Sequence, residues 1–141
     1  MSDAVRLLGL RGSPLDIGEV YDAVRDDASG GIALFVGAVR DHDQGRTVRS
    51  LGYSAHPSAD LVLQSVVEEV VAQHPVRAVA AVHRVGDLSI GDIAVVVAVA
   101  CGHRGDAFAA CRQLVDELKS RVPIWKHQIF TDGEEEWVGT P

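Results

Sequence analysis

The sequence is poor in the residues that mark several large classes of protein. Its two cysteines, Cys101 and Cys111, are too few for a disulfide framework and form no C-x-x-C pair, which points to a reduced, cytoplasmic protein. Only 5% of its residues are aromatic, so its 47% of hydrophobic residues are mainly aliphatic, and they suffice for one core. No apolar run approaches the ~18–20 residues of a membrane span; the longest, Ile93 to Cys101, has strand length. The opening M-S-D-A-V-R lacks the charged region and apolar stretch of a secretory signal. An excess of basic charge is missing as well. Thirteen basic residues against 20 acidic ones give a net charge of −7, which argues against a nucleic-acid partner. Lysine is nearly absent: eleven of the basic residues are arginine, and Lys119 and Lys126 are the only lysines.

What charge there is falls unevenly. Residues 1–36, 57–102 and 132–141 carry −3, −3 and −4, whereas 37–56 and 103–131 carry +1 and +2. An anionic ligand would be drawn to the place where those two basic segments meet.

The hydrophobic pattern predicts one domain over residues 1–141. Strands are expected at Val5–Leu10, Ile32–Arg40, Val48–Ala55, Ala78–Val85, Ile93–Cys101 and Ile124–Phe130. Ser13-Pro14 reads as the start of a helix over Leu15–Arg25. Pro57-Ser58 opens a long helix whose buried face is Leu63, Val66, Val67, Val70 and His74, and Pro75 stops it. A second long helix is expected from Asp106 to Arg121, with Phe108, Cys111, Val115, Leu118 and Val122 as its inner stripe, and Pro123 breaks it. Asp41–Arg46 reads as a polar loop, G-D-L-S-I-G-D (86–92) as a turn or small loop, and Glu134-Glu135-Glu136 as a solvated tail. The order β-α-β-β-α-β-β-α-β predicts an α+β, two-layer domain, with helices covering one face of a mixed or antiparallel sheet.

Several places could carry chemistry. Gly102-His103-Arg104-Gly105 joins a buried strand to a helix start, where free backbone N–H groups and an arginine fork suit an anion. Taken alone, the same residues read more readily as a helix cap beside a solvated arginine. His83-Arg84 reads as structural. Lys119 lies beside the buried stripe of its helix, where partial desolvation would fit it for nucleophilic or acid–base work. The turn at Pro123 can bring Lys126 to the same end of the domain. Arg40 closes a strand just before a polar loop, a rigid mount for an anion-binding guanidinium. Cys101 reads as a small buried hydrophobe. The six histidines show no metal-ligand spacing, so neither a metal nor a cofactor is expected.

Four segments in this order carry a resemblance over about Gly30 to Trp137. They are F-V-G-A-V-R-D-H-D-Q-G (35–45), H-R-V-G-D-L-S-I-G-D (83–92), G-H-R-G-D-A-F (102–108) and D-E-L-K-S-R-V-P-I-W-K-H (116–127). Together they resemble the large, catalytic subunit of molybdopterin synthase, the MoaE family. The resemblance implies an α/β hammerhead fold and a homodimer. It implies an enzyme, a sulfurtransferase that converts cyclic pyranopterin monophosphate (precursor Z) to molybdopterin in molybdenum cofactor biosynthesis. Sulfur would come from the C-terminal Gly-Gly thiocarboxylate of a small ubiquitin-like MoaD-type partner, seated in a heterotetramer. By motif match Lys119 is the central catalytic residue, and Lys126 lines the same site. Substrate contacts fall on Ala38, Val39, Arg40, His103, Arg104, Lys119, Lys126, His127 and Gln128. The chain departs from many relatives at Ala38, where they have Lys, and at Gln128, where they have Glu. It also ends at Pro141, where many continue to a further arginine. The alternative is a catalytically idle pterin- or phosphate-binding protein, or a scaffold, with the same fold.

Overall fold

The computed structural model describes residues 2–139; Pro141, singled out above, lies outside them. The elements run β1 (Val5–Arg11), α1 (Ile17–Ala23), β2 (Gly31–Ala38), β3 (His42–Asp43), β4 (Arg46–Ala55), α2 (Ala59–Gln73), β5 (Val76–Arg84), β6 (Gly86–Ser89), β7 (Ile93–Cys101), α3 (Arg104–Arg121), β8 (Ile124–Phe130) and β9 (Glu135–Val138). All six expected strands and the three helices form, and the α+β class holds.

The strands build two sheets. The first has the order β1-β5-β7-β2; β1 runs parallel to β5 and the other pairs are antiparallel. β5 and β7 read as unbroken apolar runs because both of their faces are covered. Val79, Ala81, Val97 and Val99 pack under α2 and α3 with Leu63, Val66, Val70, Ala110 and Leu114. Ala78, Ala80, Val82, Val96 and Ala98 face the other way, onto Val20 of α1 and Val24 at its C-terminal cap. The expectation of helices on one face is therefore corrected: the short α1 closes the second face, because these alternating alanines and valines leave no polar side to wet.

The second sheet has the antiparallel order β3-β4-β8-β9, with β6 also on β4. Its short strands fall where the sequence predicts loops or a tail. Asp41–Arg46 folds as a tight hairpin, with Gln44 and Gly45 both at positive φ (50° and 78°), the backbone a two-residue turn between twisted strands requires. Within 86–92, Gly86–Ser89 is β6, held by Leu88 in a small core with Val39, Leu51 and Ala94. Of the three glutamates, Glu135 and Glu136 lie in strand β9, paired with β8; the segment is solvated as expected, Glu134 and Glu135 being exposed, but it is an edge strand and not a loose tail. Each of these strands is too short or too charged to show a period in sequence.

Helix ends follow local chemistry. His74 and Val122, each before a proline, are extended (ψ 154° and 121°), since the ring of the next residue disfavours the helical region. α1 begins later than expected: Asp16, not Ser13, is its cap, its Oδ1 accepting from Gly18 N at 2.8 Å. The inner stripe of α3 is Ala107, Ala110, Cys111, Leu114 and Leu118, whereas Phe108 is 66% exposed. His74 is half-buried, its Nε2 2.7 Å from Gln113 Oε1. A Cβ on Gly31 would stand 2.9 Å from the Cα of Arg104, so glycine there lets α3 start directly against β2.

Candidate active site

α3 lies along β2 in the same direction, with Arg104 beside Gly31 and Lys119 beside the far end of the strand. The turn through Val122 and Pro123 then sends β8 back under that end. Lys126, opposite Tyr53 of β4, thus comes to the same place as Lys119. Two cavities meet at this lysine pair. One, of about 480 Å³, is walled by Phe35–Arg40, His42, Asp43, Leu51 and Gln128 together with both lysines. The other, of about 220 Å³, lies between Tyr53, His83, Leu118, Ile124, Val138 and the same two lysines.

The larger cleft is the more polar. Arg40 Nη2 is 3.2 Å from Asp43 Oδ1. Gln128, only 2% exposed, donates from Nε2 to Asp43 Oδ2 at 2.8 Å and to Glu136 Oε1 at 3.3 Å. Donation by Gln128, then the charges of Lys126 and Arg40, hold the Asp43 carboxyl below the usual carboxylate range. An ionised Asp43 therefore sits among the cations, bonded to Arg40 and drawn to the Lys126 charge. Lys126 is half-buried, but Lys119 is exposed in the single chain, so the expected desolvation of Lys119 does not come from its own chain.

The other expected residues divide. Ala38 and Arg40 line the cleft. Val39 does so with its backbone, for its side chain is 4% exposed among Leu51, Leu88 and Ala94. His127, on the opposite face of β8 from Lys126 and Gln128, stacks on Trp137 at 4.3 Å and 9°; its Nε2, 3.7 Å from Glu135 Oε2, is buried without a hydrogen bond among the described residues. His103 and Arg104 stand elsewhere. They open α3, fifteen residues before Lys119, which is about 22 Å along the helix. His103 caps α3 through extended backbone (ψ 149°) without a side-chain hydrogen bond to it, and both residues are exposed. One chain thus holds its expected anion-binding residues in two separate places.

Two residues near the lysines were not singled out in sequence as site residues. Asp43 carries no signal beyond lying in a polar turn. His83, read as structural, is 7% exposed and borders cavity space shared with Lys119. Burial pushes its imidazole below the ordinary histidine value, and the Lys119 charge adds to this. Burial also pushes the Tyr53 phenol up, the Cys101 thiol up and the Cys111 thiol up to about 11. Both cysteines are buried, Cys101 fully, as expected of a small hydrophobe, and neither is poised as a thiolate. Among the described residues no helix is long and apolar enough to cross a membrane.

Comparison with known proteins identifies the family. The family model described as MoaE protein matches residues 10–121. The molybdopterin synthase catalytic subunit of Oryza sativa subsp. indica is 42% identical over 133 residues, 94% of this chain and 69% of that protein. The crystal structure of molybdopterin synthase from Staphylococcus aureus superposes with a TM-score of 0.85 at 32% identity, over 92% of this chain and 95% of that one. A complex of subunits 1 and 2 of the molybdopterin-converting factor from Helicobacter pylori 26695 shares the fold, with a TM-score of 0.75 at 20% identity over 95% and 93%. The chain therefore belongs to the MoaE family, whose members named here are catalytic subunits of molybdopterin synthase, the sulfur-transferring enzyme of molybdopterin biosynthesis.

Proposed function

We propose that this chain is a single-domain, cytoplasmic sulfurtransferase. It converts cyclic pyranopterin monophosphate to molybdopterin with two sulfurs from the thiocarboxylated Gly-Gly tail of a small MoaD-type partner. The observation that carries the reading is the meeting of two cavities at the chain's only two lysines. The cleft rimmed by Arg40 takes the pterin phosphate. The narrower cavity beside Tyr53 and β9 takes the tail, whose glycines have no side chains to exclude. The two-subunit complex of the Helicobacter pylori relative supports such a partner.

The chemistry asks little of the protein beyond charge and position. A thiocarboxylate sulfur is already a nucleophile, so two buried, unionised thiols are no obstacle. Lys119 acts at the reacting atoms, either protonating a leaving oxygen or transiently holding an acyl group or substrate carbon. Lys126 and Arg40 stabilise negative charge beside it, while Ala38, the Val39 backbone and Gln128 shape the cleft. His127 contributes through the Trp137 stack that fixes β8.

His103 and Arg104 enter from a second copy of the chain. β2 is an edge strand, and Leu34, Val36 and Phe108 expose apolar surface along it. A two-fold axis across β2 would carry the start of one α3 toward the end of the other and complete the anion site in a homodimer. The heterotetramer adds one partner at each site. The test is reconstitution of the purified chain with thiocarboxylated partner and pyranopterin, with detection of the dithiolene product. Product is expected, with the chain eluting as a dimer alone and as a heterotetramer with partner. Binding of pterin without product, where a relative turns over, would leave an idle binding protein instead.

A further inference from the structure

His83 is a buried imidazole with an assignable tautomer. Its Nδ1 lies 2.6 Å from the carbonyl oxygen of Arg84. A carbonyl only accepts, so Nδ1 carries the hydrogen, and in the neutral ring Nε2 is left as an acceptor. The edge-on contact with Tyr53, ring centroids 4.8 Å apart at 90°, fixes the ring plane. Nε2 has no hydrogen-bond partner among the described residues, yet it is not sealed into the core as Arg84 Nε is. The ring borders two cavities, and Lys119 borders both of them. Between them, Leu118 and Val115 of α3 rest on Val95 and Val97 of β7, and Val95 is the register partner of His83. The helix turn bearing Lys119 is therefore seated over His83.

We propose that His83 is the positioning residue for Lys119, its neutral Nδ1–H tautomer presenting Nε2 as the hydrogen-bond acceptor that holds the Lys119 ammonium where the two cavities join. The inference rests on the sulfur-transfer reading of this site and adds a residue to it. The groups facing the junction are Lys119 from α3, Lys126 from β8, Tyr53 from β4 and His83 from β5, with Asp43 acting through Lys126. Burial and then the Lys119 ammonium oppose a proton on His83, against the Arg84 carbonyl, which favours one. An imidazolium there would have no lone pair to offer and would repel the lysine it should hold. Neutrality is thus the condition for its role.

Two measurements test this. In the ligand-free protein with 15N-labelled histidine, His83 should show an Nδ1–H tautomer, and Lys119→Met should raise its titration midpoint by about one pH unit. An Nε2–H tautomer, or a midpoint unmoved by Lys119→Met, would overturn the proposal whatever the enzyme does. In the reconstituted complex, His83→Phe keeps a ring against Tyr53 but removes the acceptor. It should lower kcat about tenfold or more with KM little changed, since the charge it orients acts on the reacting atoms. His83→Gln, whose Oε1 can stand in for Nε2, should recover most of kcat and shift the acid limb of the pH profile to lower pH. Full kcat in His83→Phe, or no recovery in a folded His83→Gln, would overturn it. A wild-type protein without turnover would count against the sulfur-transfer reading alone, and the histidine titration would still decide the role of His83.

Discussion

The two ends of α3 carry similar charge in different settings. Its start offers His103 and Arg104, both exposed, on a backbone pressed against Gly31. Its end offers Lys119 above a seam of buried valines and His83, with Arg121 held by Glu69 and Glu117. The end has walls; the start is an exposed cationic surface without any. On the proposed reading the two ends are half-sites, and an antiparallel copy is the simple operation that would join them.

The strongest way to break this comparison is to remove the residue at the walled end. Lys119→Ala should cost about a hundredfold or more in turnover, with the fold and partner binding retained, as circular dichroism and co-elution would report. Activity near wild type would show that the walls enclose something other than the reacting group.

A second test addresses the join itself. Lys119→Ala protomers mixed with His103→Ala/Arg104→Ala protomers, unfolded and refolded together, should form hybrids with one intact site. Random pairing gives about a quarter of wild-type activity from two nearly inactive parents. No recovery in hybrids shown to have formed would place both half-sites on the same chain, contrary to their separation of about 22 Å along the helix.

The same contrast explains what the sequence could disclose. The long helices, the six main strands and the convergence of Lys119 with Lys126 follow from apolar spacing and from prolines at 75 and 123, which act over a few residues. Phe108 fits the stripe of α3 by spacing, but the helix begins where β2 is an edge, so its apolar side chain faces outward and only the small Ala107 and Ala110 turn in. A sequence period cannot tell an edge from a centre. β6 and β9 exist because β4 and β8 offer them unpaired backbone, a tertiary cause without local trace. His83 looked structural because its two reasons for mattering, the Arg84 carbonyl and the Lys119 turn, lie in backbone geometry and in a helix thirty-six residues away.

The smallest expected effect concerns Gln128. As an amide it donates to Asp43 and Glu136 at once, tying the β3 hairpin to β9 and keeping Asp43 ionised. Gln128→Glu would replace a double donor by a third carboxylate in a nearly sealed position, at a cost of about 1–3 kcal/mol at neutral pH. The sign of its pH dependence follows from Asp43. A carboxyl held below its unfolded value contributes stability that is present above the unfolded value and is lost as pH falls through the folded one. In Gln128→Glu the neighbouring charges repel, the Asp43 carboxyl moves up, and that contribution should fade at a higher pH than in the wild type. Melting temperatures between about pH 4 and 8 should therefore show the largest deficit near neutrality, where all three carboxylates are ionised, and a smaller one in acid, where a shared proton restores a donor. A deficit that stays level across this range would show that Gln128 contributes by packing and not by holding Asp43 charged beside Arg40 and Lys126.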